Sequence, residues 1–292
     1  LLSLIRQEDR YSAELEPALS MLPSYTQLGM AALLPNKALA IADNETGTVL
    51  VDGQSSQGTA NRIKILGQAI SQRATACKAD ELMACGHLAC QGCGATLAMR
   101  YMLKALGQKT ILCIPACCWA VIDGPYPYSS LDVPIYHCAF ETAASTATGV
   151  KAGLEMTGDT ETTVVAWAGD GGTSDIGLQA LSGAAERGDN FIYLCYDNEG
   201  YMNTGTQRSS ATPIGALTTT TPVMTKQQQK KDLIKIMEAH DIAYLATTSP
   251  SYPIDLYDKF VKAKKIKGTR YIHIHTPCPP GWVYSPRDTV KI

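Results

Sequence analysis

The sequence lacks an excess of either charge and lacks any long apolar stretch. It carries 25 lysines and arginines against 27 aspartates and glutamates, which gives a formal net charge of −2. Nucleic-acid-binding proteins usually present a basic face, so this balance predicts no nucleic-acid partner. No run of about 18 apolar residues occurs, which predicts no membrane-spanning helix. The apolar stretch 1–5 is too short for a secretory signal and is soon followed by charged residues, so a cytoplasmic location is expected.

Charged residues are also few overall, and this places the chain among packed globular proteins. They make up 18% of the 292 residues, whereas hydrophobic residues make up 45%. Disordered chains show the opposite balance, low hydrophobicity with high charge. A chain of this length forms one large domain or two smaller ones. The character of the sequence changes near residue 80, so we predict an N-terminal extension of uncertain role over 1–80 and a main domain over 81–292.

The second part of the chain alternates between short apolar runs and helical patterns. Strands separated by helices of about 10–15 residues form a parallel sheet that is covered on both faces. We therefore predict an α/β fold, a parallel sheet with helices on both faces. The predicted strands are 110–114, 163–168, 191–196, 242–246 and 270–275, and the predicted helices are 95–106, 143–156, 176–187, 230–240 and 256–266.

Two polar motifs follow two neighbouring strands of this predicted sheet. Gly169, Asp170, Gly171 and Gly172 come directly after the strand TVVAWA, and Asn198 comes shortly after the strand FIYLCY. The carboxyl ends of parallel strands are where α/β sheets bind ligands. A carboxylate and an amide oxygen suit Mg²⁺, and the glycines let the backbone approach a diphosphate at the start of the next helix. A tight strand-to-helix turn without a ligand is the alternative explanation of the glycine-rich motif.

The segment around these motifs resembles a known family. Residues 169–216, GDGGTSDIGLQALSGAAERGDNFIYLCYDNEGYMNTGTQRSSATPIGA, look like the β subunit of the 2-oxoacid:ferredoxin oxidoreductases, and the likeness covers roughly residues 83–292. The resemblance implies a thiamine-diphosphate-binding fold. It also implies Mg²⁺ held by Asp170, the Asn198 side chain and the Gly200 carbonyl. Asn203 matches a family asparagine beside the reacting carbon of the cofactor, a catalytic position, although a turn-stabilising role is the alternative.

The ten cysteines contain a second pattern. Cys90 and Cys93 form a C-x-x-C motif, Cys118 follows 25 residues later, and Cys278 lies near the C-terminus. Four thiolates can bind a 4Fe–4S cluster, and a zinc site with the same ligands is the alternative. In the resembling family, cysteines in this pattern hold a 4Fe–4S cluster next to the thiamine ring. Cys117 stands where that family usually has glycine, so the third ligand is Cys117 or Cys118, with the register favouring Cys118.

The resemblance implies an enzyme that acts as one part of a complex. Its members decarboxylate a 2-oxoacid oxidatively with coenzyme A, and electrons pass through the 4Fe–4S cluster towards ferredoxin. Pyruvate is the expected substrate, with oxalate, branched-chain or aryl 2-oxoacids as alternatives, because Thr142 stands where the family more often has asparagine. The glutamate that thiamine enzymes need against the pyrimidine ring comes from a separate α chain or domain in this family. We therefore expect alpha, gamma and delta (ferredoxin-like) partner subunits and no activity from this chain alone.

Two rival functions come from other classes of protein. A non-catalytic iron–sulfur or zinc subunit would need the four cysteines but not Asp170 and Asn198, and both are present. Residues 1–76 resemble a fragment of a PglZ-type alkaline-phosphatase superfamily domain, which raises a phosphatase-related protein as the second rival. The fragment lacks the residues of a metallophosphatase site, so we carry no activity over. Within it we predict helices over 11–22 and 61–70, a strand over 48–51 and a loop over 52–59.

Overall fold

A computed structural model of the protein describes residues 39–41, 49–51, 54–55 and 79–291. Contacts between Cα atoms divide the chain into two units, Leu1–Cys77 and Lys78–Ile292. The separate roles assigned above to 1–80 and 81–292 stay a prediction. In the described residues, no helix is long and apolar enough to cross a membrane.

The described part of the first unit is a small antiparallel sheet. Strand β1 (Leu39–Ile41) pairs with β2 (Val49–Val51), and β2 pairs with β3 (Gln54–Ser55). The strand predicted over 48–51 is therefore present, but part of the predicted loop is a strand. The two residues between β2 and β3 read Asp-Gly in the sequence, a pair typical of tight hairpins, and this signal was missed. The helices predicted over 11–22 and 61–70 lie outside the described residues.

Six parallel strands form the sheet of the second unit. They are β4 (Thr110–Pro115), β5 (Ile135–Cys138), β6 (Thr163–Gly169), β7 (Ile192–Asp197), β8 (Tyr244–Thr248) and β9 (Arg270–His275), in the spatial order β5-β4-β6-β7-β9-β8. The central strands β4, β6 and β7 are mostly apolar because helices cover both faces. All six residues of β7 are buried. β6 and β7 are neighbours in register, with Gly169 opposite Tyr196, so their carboxyl ends meet at one edge of the sheet.

The helices of this unit range from one turn to almost four turns. They are α1 (Gly94–Leu106), α2 (Trp119–Ile122), α3 (Ala143–Met156), α4 (Leu178–Arg187), α5 (Leu233–Glu238), α6 (Pro253–Lys265) and α7 (Pro279–Trp282), with a π-helix at Gly172–Ile176 and a 3₁₀-helix at Pro286–Asp288.

Two apolar cores lie on the two faces of the sheet, because side chains alternate along each strand. On β6, Val165 and Trp167 belong to one core, whereas Val164, Ala166 and Ala168 belong to the other. α1, α2 and α6 contribute to the first core, and α3, α4 and α5 contribute to the second. The predicted α/β fold with helices on both faces of a parallel sheet is confirmed.

The ends of several predicted elements differ from those observed, for local reasons. The helix predicted over 230–240 begins only at Leu233, because the Asp232 side chain caps it by accepting a hydrogen bond from Lys235 N at 3.1 Å. The helix predicted over 256–266 begins earlier, at Pro253, since proline fits the first turn of a helix. The helix predicted over 176–187 is preceded by the π-helix, which leaves α4 to start at Leu178.

Candidate active site

A cavity of about 390 Å³ opens at the carboxyl ends of β4, β6 and β7. Most of the residues that line it end or follow these three strands, as expected for a ligand site in a parallel sheet, and Phe140 comes from the segment after β5. The sequence-predicted residues among them are Gly169, Asp170, Gly171, Gly172, Asn198, Gly200, Asn203, Cys117 and Cys118. The structure therefore brings every predicted thiamine-site residue to one cavity, although these residues span 35 positions from Gly169 to Asn203.

The glycines of the first motif form a wall where a side chain has no room. A Cβ atom added at Gly171 would lie 2.2 Å from the Tyr201 ring, and one at Gly172 would lie 3.1 Å from the Phe140 ring. Behind them, Thr173 Oγ1 donates to the Gly169 carbonyl at 2.7 Å, which holds the chain at the end of β6. Backbone, rather than side chains, is consequently what this wall can offer to a ligand.

Three oxygen atoms from the two strand ends converge at the cavity. The Asn198 side-chain oxygen is placed 2.8 Å from the Gly200 carbonyl oxygen and 3.0 Å from Asp170 Oδ1, and rotating the amide would put its nitrogen there as a donor. Mg²⁺ binds oxygen ligands octahedrally at about 2.0–2.1 Å, so neighbouring ligands lie about 2.9 Å apart. The separations match that value. The donor set, a carboxylate, an amide oxygen and a carbonyl, also fits Mg²⁺.

The surroundings of Asp170 lack positive charge within residues 79–291. Its side chain is 1% exposed, and it accepts hydrogen bonds from Ser209 Oγ at 2.5 Å and from Asn198 N at 3.4 Å. Burial and the nearby charge of Asp197 raise the pKa of Asp170 well above its ordinary value. A bound divalent cation reverses this preference and keeps the carboxylate ionised.

Asp197 shows the opposite behaviour one strand away. It accepts from Lys230 Nζ at 2.7 Å and from His273 Nε2 at 2.9 Å. Burial opposes its ionisation, but these two partners outweigh burial and lower the pKa of Asp197. Asp197 also accepts from Glu199 N at 2.8 Å, so the paired carboxylate fixes the turn that carries Asn198.

Asn203 lies on a loop that bends over the cavity. The loop is closed by Tyr201 N donating to the Gln207 carbonyl at 2.9 Å and by Thr206 N donating to the Tyr201 carbonyl at 3.0 Å. The Tyr201 hydroxyl donates to Asp175 Oδ2 at 2.6 Å and ties the loop to the π-helix. The Asn203 side chain is exposed and makes no hydrogen bond with the described residues. Its amide is thus available to a ligand, and no turn-stabilising contact is present.

Three of the four predicted cluster cysteines lie at the starts of helices, and the fourth lies just before one. Cys93, Cys118 and Cys278 are the N-cap residues of α1, α2 and α7, and none of these helices has a side-chain cap. Cys90 is one turn before α1, with its carbonyl accepting from Cys93 N at 3.1 Å. Helix N-termini carry partial positive charge, so this placement favours bound thiolates.

The mutual influence of these thiols distinguishes Cys118 from Cys117. Burial, followed by Cys117, Cys93, Cys278 and Cys90, raises the pKa of Cys118 to about 12. Burial also raises the pKa of Cys117 to about 11, but its other neighbours are Tyr196, the α2 backbone and Asp123 rather than the remaining three cysteines. The other three cysteines therefore act on the pKa of Cys118, whereas they are not among the main influences on Cys117.

The thiols are not gathered as the ligands of a single metal ion in this structure. No three histidine, cysteine, aspartate or glutamate side chains in the described ranges are grouped closely enough to hold one. The choice between a 4Fe–4S cluster and zinc therefore stays a prediction from the sequence.

Comparison with known proteins agrees with a thiamine-diphosphate-binding domain. A family model for the thiamine pyrophosphate enzyme C-terminal TPP binding domain matches residues 118–274. The ketoisovalerate oxidoreductase subunit VorB of Pyrococcus furiosus is 52% identical over 212 residues, which are 70% of this chain and 68% of that protein. The pyruvate synthase subunit PorB of Methanothermobacter marburgensis is 51% identical over 217 residues, 73% of this chain and 75% of that protein. The chain belongs to the β-subunit family of the 2-oxoacid:ferredoxin oxidoreductases.

A solved structure agrees with this β-subunit fold. The 2-oxoglutarate:ferredoxin oxidoreductase of Magnetococcus marinus, solved with 2-oxoglutarate, coenzyme A and succinyl-CoA bound, superposes with a TM-score of 0.60. Sequence identity is 23%, and the match covers 68% of this chain and 67% of the other. The resemblance stated from the sequence, the fold class and the thiamine-diphosphate-binding domain are therefore confirmed.

The start of the β-subunit chain has a separate similarity. A family model for the BREX system PglZ alkaline phosphatase-like domain matches residues 1–100. The predicted resemblance over 1–76 is confirmed, and the match extends beyond it into α1.

Several site residues of the β subunit were missed by sequence reasoning. Ser209 Oγ donates a hydrogen bond to Asp170, which lies 39 positions earlier in the sequence. Met202 lies against Gly281, where an added Cβ atom would be 2.2 Å from Met202 Sδ and 3.2 Å from Cys278 Sγ. Tyr196 lines the cavity from within an apolar strand. No spacing pattern points to these contacts, because they depend on how the loop 199–216 folds over the strand ends.

Proposed function

We propose that this β subunit binds the diphosphate end of thiamine diphosphate through Mg²⁺ and holds a 4Fe–4S cluster beside it. The observation that carries the proposal is the single cavity bordered both by Asp170, Asn198 and Gly200 and by Cys118. A metal-and-diphosphate site and a cluster site would then share one wall. Electrons released at the cofactor would reach the cluster without crossing another domain.

The residues of the cavity would divide the work of binding. Asp170, the Asn198 amide oxygen and the Gly200 carbonyl would hold Mg²⁺, while the backbone at Gly171 and Gly172 would contact the diphosphate. Thiamine diphosphate, when bound, supplies the electron sink that decarboxylation of a 2-oxoacid needs. Asn203 would orient the reacting part of the substrate, since its amide has no other partner among residues 79–291.

The four thiols of Cys90, Cys93, Cys118 and Cys278 would bind the cluster as thiolates. Burial and neighbouring cysteines raise the pKa of Cys278 to about 11 and that of Cys118 to about 12, so these two thiols are protonated without metal. Metal binding would displace the protons, which is the usual coupling between thiolate ligation and pKa. Assembly of the cluster would therefore release protons.

The partners follow from what the cavity contains. Asp170 is the one carboxylate among the described residues that line it. The glutamate required at the pyrimidine ring would come from the α subunit, as the family resemblance implies. We propose a complex with alpha, gamma and ferredoxin-like delta subunits, with coenzyme A as co-substrate and ferredoxin as the electron acceptor.

Pyruvate is the substrate we propose first. The cavity is lined near Asn203 by Phe140, Tyr201 and Met202, which suit a substrate with an uncharged, apolar side chain. A branched-chain 2-oxoacid is the second candidate, because relatives at 51% and 52% identity are named for pyruvate and for ketoisovalerate.

The test is an anaerobic analysis of the whole complex. Iron, sulfide and thiamine diphosphate are measured per β subunit in the wild type and in Cys118→Ala, because partner subunits also carry iron. We expect the variant to lose roughly four irons per β subunit, the content of one cluster. Decarboxylation is then compared with pyruvate, 3-methyl-2-oxobutanoate and 2-oxoglutarate, with and without coenzyme A. A complex that binds zinc and no thiamine would show a structural subunit and overturn the proposal.

A further inference from the structure

The Tyr196 hydroxyl is a buried donor without a partner. Tyr196 is 1% exposed, near the end of β7, and its hydroxyl makes no hydrogen bond of normal geometry within the described part of the chain. Buried polar groups are nearly always paired in native proteins, so an exception needs a specific explanation. One explanation is a ligand that completes the site.

The ring of Tyr196 is held in place by two tryptophans. It stacks on Trp167, with 5.6 Å between ring centroids and 23° between planes. Trp167 in turn packs edge-on against Trp119, with centroids 6.0 Å apart at 82°. The indole nitrogens of both tryptophans are also buried without a partner among the described residues. This stack prevents the Tyr196 hydroxyl from turning towards solvent.

The polar neighbours of that hydroxyl are cysteine sulfurs. Tyr196, Cys117 and Cys118 line the same wall of the cavity, and Cys118 precedes Trp119 at the start of α2. Burial raises the pKa of Tyr196 well above its ordinary value, and so do the proximity of Cys117 and Cys118 and a hydrogen-bonding contact with Cys117. That contact with Cys117 is not a hydrogen bond of normal geometry, so the hydroxyl can still donate to another sulfur at the cavity wall.

We propose that the Tyr196 hydroxyl donates a hydrogen bond to the iron–sulfur cluster at its Cys118 corner and raises the reduction potential of that cluster. This inference rests on the proposed function, since the acceptor is a cluster thiolate or sulfide. A hydrogen bond to these sulfurs stabilises the more negative, reduced state, which makes the cluster a better electron acceptor. Tyr196 is thus a positioning residue for electron transfer, placed between the cavity and the cluster.

The test is Tyr196→Phe in the whole anaerobic complex, because this change removes the hydroxyl and keeps the stacked ring. The cluster of this chain is first identified as the electron paramagnetic resonance signal that Cys118→Ala removes. We expect the midpoint potential of that signal to become more negative and its g-values to change, with iron and thiamine contents unchanged. Tyr271→Phe is the matched control, a buried tyrosine on the adjacent strand β9 whose hydroxyl lies 3.0 Å from His273 Nδ1. Its midpoint potential should equal that of the wild type.

Each other outcome overturns the inference in a recognisable way. An unchanged potential and spectrum in Tyr196→Phe would show that the hydroxyl does not contact the cluster. Weaker thiamine diphosphate binding with an unchanged cluster signal would assign the hydroxyl to the cofactor instead. If Cys118→Ala removes no signal, the proposed function itself has failed. Pulsed electron paramagnetic resonance of the unmodified complex supplies a second measurement. The hydroxyl proton, if bonded to the cluster, must give a proton coupling that disappears after exchange into deuterated water.

Discussion

Asp170 and Asp197 are buried carboxylates at the carboxyl ends of neighbouring strands, yet of the two only Asp197 has cationic partners within residues 79–291. Lys230 Nζ and His273 Nε2 lie 2.7 Å and 2.9 Å from Asp197 Oδ2. Asp170 accepts only from neutral groups, of which Ser209 Oγ at 2.5 Å is the nearest. A buried charge without a counter-charge is unfavourable. Mg²⁺ at Asp170 would therefore remove an unfavourable interaction that the metal-free protein carries.

Replacing Asp170 should weaken cofactor binding without lowering the stability of the metal-free protein. Asp170→Asn keeps the shape of the side chain and removes the charge, so we expect the metal-free protein to be as stable as the wild type or about 1 kcal/mol more stable. Loss of outer-shell partners alone lowers metal affinity 10–100-fold, so loss of a ligand predicts thiamine diphosphate binding at least about 100-fold weaker. Calorimetric titration with Mg²⁺ present measures the affinity, and thermal unfolding measures the stability.

Asp132→Asn is the control for this change, because Asp132 is an exposed carboxylate outside the cavity. It should bind the cofactor like the wild type. Iron content should be the same in both variants. Binding by Asp170→Asn within threefold of the wild type would contradict the assignment of Mg²⁺ to this carboxylate.

The metal-binding side of the cavity could be predicted from sequence because it is organised by strand ends. Asp170 and Asn198 directly follow buried apolar strands, and parallel strands bring such positions together whatever the loops do. Ser209 could not be predicted in the same way. Its contact with Asp170 depends on the course of the loop after Gly200, which no periodicity describes.

The cluster side shows a different limit. Alignment with the cysteine pattern of the resembling family favoured Cys118 over the adjacent Cys117. In an irregular turn, however, no sequence pattern predicts which way two neighbouring side chains point. The start of α2 at Trp119 makes Cys118 the N-cap residue, and Cys93 and Cys278 are among the groups that raise its pKa. The one-turn helix itself was not predicted, because four residues are too few to show helical periodicity.

Adding one methyl group at Gly171 should disrupt the cavity. A Cβ atom there would lie 2.2 Å from the Tyr201 ring, so the ring or the backbone must shift. Tyr201 ties the Asn203 loop to Asp175, and Gly171→Ala should therefore lower both thiamine diphosphate affinity and stability, the latter by about 1–3 kcal/mol. Thermal unfolding and cofactor titration measure the two effects.

Gly149→Ala provides the matched glycine control. Gly149 lies within α3, and a Cβ atom there meets nothing within 4 Å. This change should raise stability by roughly 0.5–1 kcal/mol, since alanine favours a helix interior over glycine. Equal effects of the two substitutions would show that the contact with Tyr201 is not what requires glycine at position 171.

The adjacent cysteines should behave differently when each is replaced. The other three cysteines all influence the pKa of Cys118, so we expect it to be a ligand and Cys118→Ala to remove the cluster and the electron transfer that depends on it. The main neighbours of Cys117 are Tyr196 and the α2 backbone. Cys117→Ala should therefore retain roughly four irons on this subunit and give the electron paramagnetic resonance signal of a 4Fe–4S cluster. Iron analysis and electron paramagnetic resonance of the two complexes decide between the ligands. Loss of the cluster in Cys117→Ala with retention in Cys118→Ala would reverse the assignment.

Replacing Asn203 should affect catalysis without affecting assembly. Its side chain is exposed and makes no hydrogen bond with residues 79–291, so Asn203→Ala should change the free energy of unfolding by no more than about 0.5 kcal/mol. A group that orients the reacting atoms contributes in the transition state, and its loss should lower kcat about 100-fold while thiamine diphosphate affinity and iron content stay at wild-type values. Thr204→Ala, in the next position of the same loop, tests whether any change there has this effect. A lowered stability with unchanged kcat in Asn203→Ala would instead assign this asparagine to the loop fold.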